Sequence, residues 1–288
     1  MNLLTIRDLD AGALERILEL SEASDLGKPL AGKGVALVFE KPSARTRNSM
    51  EMAVVQLGGH PVYIQAEEVG IGSRESPADV ARTLACYHSV IAARVKNHAV
   101  FADMAAATGT PILNMLSDSD HPLQALSDLL TIRQLIGRLE GVRVAYLGDG
   151  DNNVCRSLAQ AVSLAGATMI IASPDSYRLG NPPTGVDLTA DPGEAVRAAD
   201  IVYTDVWVSM GQDAQADSRR AELRPYQVNA ALMAEAPDAW FLHCLPAHRG
   251  EEVSAEVIDG PRSAIWRQAE NRMHSARGAL AWLMGARP

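Results

Sequence analysis

The chain contains 288 residues, of which 47% are hydrophobic and 21% are charged, so it is large for one hydrophobic core and suits two α/β domains. Its net charge of −9 at pH 7 argues against a general nucleic-acid binder, because such proteins carry a basic surface. No run of about 18 apolar residues predicts a membrane span, and we expect no membrane association.

The first half of the chain predicts strands that alternate with helices. Apolar runs that end at turns indicate strands, and helical spacing behind a capping residue indicates helices. The predicted strands are 34–40, 61–65, 90–95 and 112–116, and the predicted helices are 43–57, 76–87, 100–107 and 121–136.

The same alternation restarts after residue 141. The predicted strands are 142–147, 168–172, 201–204 and 240–244, and the predicted helices are 153–164, 193–199, 224–236 and 264–284. Residues 206–219 show little periodicity and predict a loop that could close over a site.

Alternating strands and helices predict parallel sheets covered on both faces. We therefore expect an α/β fold of two domains, each a parallel sheet flanked by helices, with the active-site cleft between them. The expected domains are 1–138 and 139–263, with the final helix, about 264–288, packing back onto the first.

Three cysteines, Cys86, Cys155 and Cys244, share no spacing typical of metal or redox sites. The first ten residues lack the charged start and apolar core of a signal peptide. Together these features predict reduced thiols and a cytoplasmic location. Without a ligand cluster, we expect neither a metal nor an organic cofactor.

The segment Ser43–Arg47 (SARTR) lies between a predicted strand and a predicted helix. Such a helix start offers free backbone N–H groups and a positive dipole end, while Arg45 and Arg47 can fork onto phosphate oxygens. A phosphate site and a capped surface helix with solvated arginines are both compatible with this segment.

Arg94, His121 and Gln124 also lie where ligands bind in parallel sheets, beyond the carboxyl ends of strands. His121 could donate to a polarised carbonyl oxygen, and Gln124, one turn further along the helix, could fix an amide. Taken singly, a strand-end arginine or an isolated histidine is more often structural.

The turn Gly148–Asn153 follows the strand that opens the second half. Its G-x-G-x-x-G pattern is incomplete because Asn153 occupies the third glycine position, so a nucleotide site is disfavoured. An asparagine there could hold a carboxylate, and Asp205, after another strand, could hold an ammonium group. A plain tight turn remains the alternative.

Cys244 could be a nucleophile with His243 as its base, which would indicate a hydrolase. Adjacent strand residues point to opposite faces, which disfavours that pairing, and a buried inert thiol is the simpler alternative. Arg272, on the final helix, could return to the anion site of the first domain or lie on a solvated face.

Four motifs in chain order resemble the aspartate/ornithine carbamoyltransferase family, and its ornithine branch in particular. They are Phe39–Arg47 (FEKPSARTR), His121–Gln124 (HPLQ), Asp205–Gly211 (DVWVSMG) and His243–Pro246 (HCLP). The resemblance spans nearly the whole chain. It implies carbamoyl transfer from carbamoyl phosphate to the side-chain amine of L-ornithine, giving citrulline and phosphate in arginine metabolism, by a homotrimer or a multiple of one.

The resemblance also implies roles for individual residues. The implied catalytic residues are Arg94, His121, Asp205 and Cys244. Carbamoyl phosphate would contact Ser43, Ala44, Arg45, Thr46, Arg94, His121, Gln124, Cys244, Leu245 and Arg272. Ornithine would contact Asn153, Asp205, Ser209 and Met210.

Three positions depart from the family pattern. Ala44 stands where threonine is usual, which removes a hydroxyl but keeps the backbone N–H. The turn before Asn153 carries one extra residue, so either Asn152 or Asn153 could hold the ornithine carboxylate. Gly70 replaces a polar residue that some relatives direct into the site of a neighbouring subunit.

Other amine substrates fit the motifs less well. The segments Ser209–Gly211 and His243–Leu245 disfavour aspartate, and an N-acylated ornithine should come with a proline-containing loop in place of Ser209–Gly211. Putrescine has no carboxylate for Asn153 to hold. A nucleotide-binding regulatory protein built around Gly148–Asn153 is the remaining alternative outside the enzymes.

Overall fold

Residues 1–208 and 213–286 are described by a computed structural model of the chain. The chain divides into two compact units. Unit 1 comprises Met1–Leu130 together with the chain from Asn271 onward, and unit 2 comprises Thr131–Glu270. The two division points fall inside helices, at Leu130 and at Glu270.

Unit 1 is built on a four-stranded parallel sheet in the order β2-β1-β3-β4. The strands are β1 Gly34–Phe39, β2 His60–Gln65, β3 His88–Arg94 and β4 Ile112–Leu116. The helices are α1 Ala11–Glu22, α2 Ala44–Gln56, α3 Ala66–Val69, α4 Pro77–Ala85 and α5 Val100–Ala107, followed by α6 Pro122–Ile136, which continues into unit 2. The strands β1, β3 and β4 are largely buried, as their continuous apolar runs predict.

Unit 2 is built on a five-stranded parallel sheet in the order β7-β6-β5-β8-β9. The strands are β5 Arg143–Leu147, β6 Thr168–Ala172, β7 Val186–Thr189, β8 Ile201–Thr204 and β9 Trp240–His243. The helices are α7 Asn153–Leu164, α8 Pro192–Val196, α9 Ala216–Leu223, α10 Ala230–Met233, α11 Ala255–Ile258 and α12 Ile265–Leu283, which continues into unit 1. The predicted α/β class, with two parallel sheets flanked by helices, is confirmed.

In each sheet, successive strands are first added on one side of the opening strand and then on its other side, which gives one switch point per sheet. In unit 1 this point lies between β1 and β3, and in unit 2 it lies between β5 and β8. Ligands of such sheets bind beyond the carboxyl ends of the strands at these points. The segments that follow these four strands carry many of the predicted site residues.

Local capping explains where two of the site-bearing helices begin. The Ser43 hydroxyl accepts the N–H of Thr46 and starts α2, and the Asn152 side chain accepts the N–H of Cys155 and starts α7. Each cap satisfies a backbone donor that the helix itself leaves without a partner. None of the helices in residues 1–208 and 213–286 has the length and hydropathy needed to cross a membrane.

The predicted helix over residues 224–236 was wrong in part. The structure has a 3₁₀ turn at Arg224–Tyr226 and only the short α10 beyond it. Between them the backbone of Val228 is extended and pairs with Val253, and the Asn229 side chain accepts the N–H of Leu232 and starts a new helix. Tertiary pairing of Val228 therefore interrupts what the sequence pattern presents as one helix.

The predicted loop 206–219 also needs correction, because α9 begins at Ala216. Sequence reasoning did not identify α1, α3, α11 or β7. The short α3 ends at Gly70 with φ of 61°, and the Gly70 carbonyl then accepts the N–H groups of Ser73 and Arg74. Glycine suits this left-handed position, since a side chain there would be strained.

Candidate active site

Three arginines of unit 1, Arg45, Arg94 and Arg272, lie near one another and form a cation group beyond β1 and β3. Arg94 ends β3, is only 8% exposed, and donates from Nη1 to the hydroxyl of Thr46 at 3.3 Å. Thr46 lies in the first turn of α2 and is itself buried. The structure thus brings the predicted Ser43–Thr46 segment and Arg94 together across 48 residues of sequence.

The electrostatics of this group favour an anion. Burial, together with the nearby positive charges of Arg272 and Arg45, lowers the pKa of Arg94 to about 10. Burial also holds the pKa of His121 well below its usual range, again with help from Arg272 and Arg94. Cations that depress one another's pKa values lose that mutual repulsion when an anion binds between them.

Gln124 and Arg272 complete the group. Arg272, on α12, donates from Nη1 to Oε1 of Gln124, and both side chains are buried. The Gln124 amide nitrogen donates in turn to Oδ1 of Asp128 at 2.7 Å. Sequence reasoning missed Asp128, although its position one helical turn after Gln124 is a signal that could have identified it.

Two residues of the SARTR segment are placed differently from the rest. Arg47 donates from Nε to Glu51 at 2.8 Å, and its guanidinium lies 3.9 Å from the ring centroid of Tyr63. These contacts differ from the predicted role of Arg47 at a phosphate. Ala44 has no polar side-chain atom, so it offers only its backbone N–H at the start of α2.

In unit 2, Cys244 and Asp205 meet although 39 residues separate them. They directly follow β9 and β8, and the Cys244 thiol donates to Oδ1 of Asp205 at 2.9 Å. The same oxygen accepts the N–H of Val206 at 2.8 Å. Burial raises the pKa of Asp205, while the nearby His243 acts in the opposite direction. A carboxylate with a raised pKa holds a proton more readily than an exposed one.

The ring nitrogens of His243 form hydrogen bonds with groups other than Cys244. Its Nδ1 accepts the backbone N–H of Leu245 at 2.9 Å, so the ring proton of the neutral tautomer lies on Nε2, which is 3.2 Å from Oε1 of Glu252. The backbone N–H of His243 donates to Gln268. Because both ring nitrogens have these partners, His243 is not arranged as a base for Cys244, which agrees with the geometric objection to a hydrolase.

Asn152 and Asn153 have different tasks in the turn after β5. The Asn152 amide oxygen accepts the N–H of Cys155 at 2.7 Å, and its nitrogen donates to the Tyr146 hydroxyl at 2.8 Å and to the Asp149 carbonyl at 3.0 Å. These contacts use both donors and the cap acceptor of Asn152. Asn153 is the first residue of α7.

Arg219 joins three segments of unit 2 and was not predicted. This buried side chain donates from Nε to the Trp207 carbonyl at 2.6 Å, forms an ion pair with Asp149, and lies 4.7 Å from the ring centroid of Tyr177. Trp207 packs closely on Gly148, where a Cβ atom would lie 3.3 Å from the indole nitrogen. No local spacing could have indicated Arg219, because Asp149 is 70 residues away.

The predicted ornithine contacts Ser209 and Met210 lie outside the described residues. Elsewhere, two clusters contain residue types that can ligate metals, Asp205 with His243 and Cys244, and His248 with Glu251 and Glu252. Hydrogen bonds already occupy both ring nitrogens of His243, and Glu251 pairs with Arg220. The expectation that no metal or organic cofactor is needed stays a prediction.

Two family models match consecutive parts of the chain. The carbamoyl-P binding domain of aspartate/ornithine carbamoyltransferase matches residues 1–134, and the Asp/Orn binding domain matches residues 140–283. The two α/β units and the two matching models define the class of protein, a carbamoyltransferase with a carbamoyl-P binding domain and an Asp/Orn binding domain. The chain belongs to the aspartate/ornithine carbamoyltransferase family.

Similar proteins within this family are ornithine carbamoyltransferases. The Hyperthermus butylicus enzyme is 45% identical, over 98% of this chain and 97% of that protein. An anabolic ornithine carbamoyltransferase of Pyrococcus furiosus is 44% identical, over 99% and 96% of the two chains. The solved structure of the Thermus thermophilus ornithine carbamoyltransferase has a TM-score of 0.89 and 42% identity, covering 98% of each chain.

Proposed function

We propose that the chain transfers the carbamoyl group of carbamoyl phosphate to the side-chain amine of L-ornithine, giving L-citrulline and phosphate in arginine biosynthesis. Membership of the family and the ornithine carbamoyltransferases among its relatives support this function. The observation that carries the proposal is the 2.9 Å contact between Cys244 and Asp205, since it brings together one residue from each of the two motifs that resemble the ornithine branch.

The carbamoyl phosphate half is assigned to the cations of unit 1. Backbone N–H groups at the start of α2 and the side chains of Ser43, Arg45 and Thr46 hold the phosphate. Arg45 and Arg272 neutralise its charge, while Arg94 and the neutral imidazole of His121 donate N–H groups to the carbamoyl oxygen as negative charge develops there. The complete proposed set is Ser43, Ala44, Arg45, Thr46, Arg94, His121, Gln124, Cys244, Leu245 and Arg272.

The amine half is assigned to Asp205 and Cys244, with Ser209 and Met210 as further ornithine contacts. The side-chain amine of free ornithine resembles that of lysine, with a pKa of about 10, and only its neutral form can attack. Asp205 and Cys244 orient the amine and receive its proton. The neutral amine nitrogen then bonds to the carbamoyl carbon, the bond from that carbon to the phosphate oxygen breaks, and phosphate leaves with the second proton that the nitrogen gives up.

Domain limits, assembly and location are part of the proposal. We assign carbamoyl phosphate binding to residues 1–138, with the final helix, about 264–288, packing back onto them, and ornithine binding to 139–263. The boundary near residue 138 lies close to the gap between the two family models, whereas the Asp/Orn model extends to residue 283. The three cysteines are free thiols, which suits a reducing cytoplasm. A homotrimer, or a multiple of one, is proposed from the family resemblance and is tested by light scattering of the purified protein.

The hydrogen bonds of Asn152 favour Asn153 as the contact for the ornithine carboxylate. Asn153→Ala is expected to raise the KM for ornithine about tenfold, the usual size of a lost hydrogen bond to a charged group, with little change in Tm. Asn152→Ala removes a helix cap and is expected to cost about 1 kcal/mol of stability. Steady-state kinetics and thermal unfolding of both variants separate the roles, and a reversed pattern would move the contact to Asn152.

Arg219 is expected to position the segments that bind ornithine without itself contacting either substrate. Arg219→Met removes the bonds to Trp207 and Asp149, so we expect a higher KM for ornithine and an unchanged KM for carbamoyl phosphate. Its neighbour Arg220 pairs at the surface with Glu251, so Arg220→Met is the matched control. Equal KM values for ornithine in the two variants would remove this role from Arg219.

The function is tested by citrulline formation from carbamoyl phosphate with purified protein. L-ornithine, N-acetyl-L-ornithine, putrescine and L-aspartate are compared as amines at equal concentration. Activity confined to L-ornithine is the expected result. A preference for another amine would overturn the assignment of Asp205, Ser209 and Met210, and no activity with any amine would overturn the proposed reaction.

A further inference from the structure

Asp128 is a buried carboxylate behind the cation group of unit 1. Its side chain is on α6 one turn after Gln124, and the residue is 0% exposed. Oδ1 of Asp128 accepts a hydrogen bond from Nε2 of Gln124 at 2.7 Å, while Arg272 donates to Oε1 of the same amide. The donor end of Gln124 therefore faces a carboxylate, and its acceptor end faces a cation.

These two contacts fix the polarity of the Gln124 amide. A carboxamide has two N–H donors at one end and an oxygen with two lone pairs at the other. Turning the amide over would set its N–H₂ group against the Arg272 guanidinium and its oxygen against the Asp128 carboxylate. Both encounters are unfavourable in a buried site, where unmatched polar groups are costly.

The fixed polarity determines what the amide can recognise. The Gln124 oxygen lies on the side of Arg272, whose charge also acts on Arg94 and His121. Arg272 uses one lone pair of this oxygen, and the other can accept an N–H from a ligand. A carbamoyl group presents an N–H₂ there, whereas an acetyl group of nearly the same shape presents a methyl.

We propose that Asp128 is a positioning residue that makes this site selective for a carbamoyl phosphate over an acyl phosphate of the same shape. Asp128 acts through Gln124 and does not itself touch the substrate. The inference rests on the proposed function, because it takes carbamoyl phosphate as the ligand of the cation group.

The experiment compares Asp128→Leu with Asp128→Asn. Selectivity is measured as the inhibition constant of acetyl phosphate divided by the KM for carbamoyl phosphate, both with saturating ornithine. Leucine has a similar shape but no acceptor, so the Gln124 amide loses its restraint and selectivity should fall about tenfold. Asparagine retains an oxygen that can accept from Nε2, and it should keep most of the selectivity.

Asp103→Asn, at an exposed position on α5, controls for the loss of one negative charge and should match the parent protein. Thermal unfolding is recorded for every variant, because a merely structural residue would lower Tm and leave selectivity intact. Selectivity of Asp128→Leu within twofold of the parent would overturn the proposal. An equal loss in the leucine and asparagine variants would overturn it too, since the charge rather than the acceptor would then matter.

A reciprocal variant keeps the test decisive if Asp128→Leu does not fold. In the double substitution Gln124→Glu with Asp128→Asn, the new asparagine can donate to residue 124, and Arg272 keeps an acceptor there. The KM for carbamoyl phosphate and the inhibition constant of acetyl phosphate should rise together, because a negative charge has moved towards the phosphate. Their ratio should stay within about threefold of the parent, and collapse of the ratio would contradict the proposal.

Failure of this inference is distinguishable from failure of the proposed function. If the parent protein makes no citrulline, the function itself is wrong, whatever the variants do. If the parent is active and Asp128→Leu retains full selectivity, only the role of Asp128 is wrong.

Discussion

Replacing Arg94 with methionine is expected to lower kcat/KM for carbamoyl phosphate by about 100- to 1,000-fold, the usual effect of removing one preorganised donor from a developing charge. Arg94 is buried, it is the last residue of β3, one of the two strands at the switch point of its sheet, and it donates to Thr46 in the segment proposed to bind phosphate. Methionine fills similar space without the charge. Initial rates at varied carbamoyl phosphate and saturating ornithine measure the effect.

The same substitution is expected to leave Tm unchanged or higher in the absence of ligand. The depressed pKa of Arg94, about 10, means that folding disfavours its charged form, at a cost of roughly 3 kcal/mol near neutral pH. This cost would decline only as the pH rises above the folded pKa, so it is fully present at pH 7. Carbamoyl phosphate should raise the Tm of the parent protein and have little effect on Arg94→Met.

Arg82→Met is the matched control for charge, because Arg82 is an exposed arginine of the same unit that pairs only locally with Asp79. It should retain the parent kinetics. A large fall in Tm with Arg94→Met would show that the arginine is structural. Parent-like kinetics in that variant would remove Arg94 from the site.

Asp205→Asn is expected to lower kcat by about 100- to 10,000-fold, the range for losing a general base, while the KM for carbamoyl phosphate changes little. The asparagine keeps the shape and the contact with Cys244 but cannot take a proton from ornithine. Cys244→Ser should likewise lower turnover more than carbamoyl phosphate affinity. Unchanged turnover in either variant would overturn the role assigned to that residue.

The stability of Asp205→Asn provides an independent check. Burial raises the pKa of Asp205, so folding disfavours its ionised form, and Asp205 contributes less to stability at neutral pH than in acid. Asparagine resembles the protonated acid. The variant should therefore be at least as stable as the parent at pH 7, and the difference should shrink as the pH falls towards the ordinary carboxyl pKa of about 4. Thermal unfolding across this range measures it.

The sequence correctly predicts those helices and strands whose hydrophobic pattern and flanking residues indicate the same element. Residues 153–164 and 168–172 form the predicted helix and strand, because an asparagine cap or a short apolar run marks each of them. The helix predicted over residues 224–236 is wrong in part because the pairing of Val228 with Val253 overrides the local preference for helix. Such pairing depends on a segment that lies 25 residues further along the chain, which periodicity does not reveal.

In the candidate site, the sequence likewise predicts the positions of some residues but not the contacts between them. Sequence position alone places Arg94 and Cys244 at strand ends, and the resemblance supplies their proposed roles. The contacts that orient these groups follow only from the fold. Arg219 reaches Asp149 across 70 residues, and Arg272 reaches Gln124 across 148, so neither pairing has a local signal.

The discontinuity of unit 1 has a consequence for protein synthesis. Unit 2 is continuous in the chain, whereas unit 1 needs both its first 130 residues and those that follow Glu270. A ribosome must therefore translate all of unit 2 before it adds Arg272, which donates to Gln124 in the cation group. The unit that is begun first is thus finished last, and a nascent chain lacks the Arg272 contact of the proposed phosphate site until α12 has emerged.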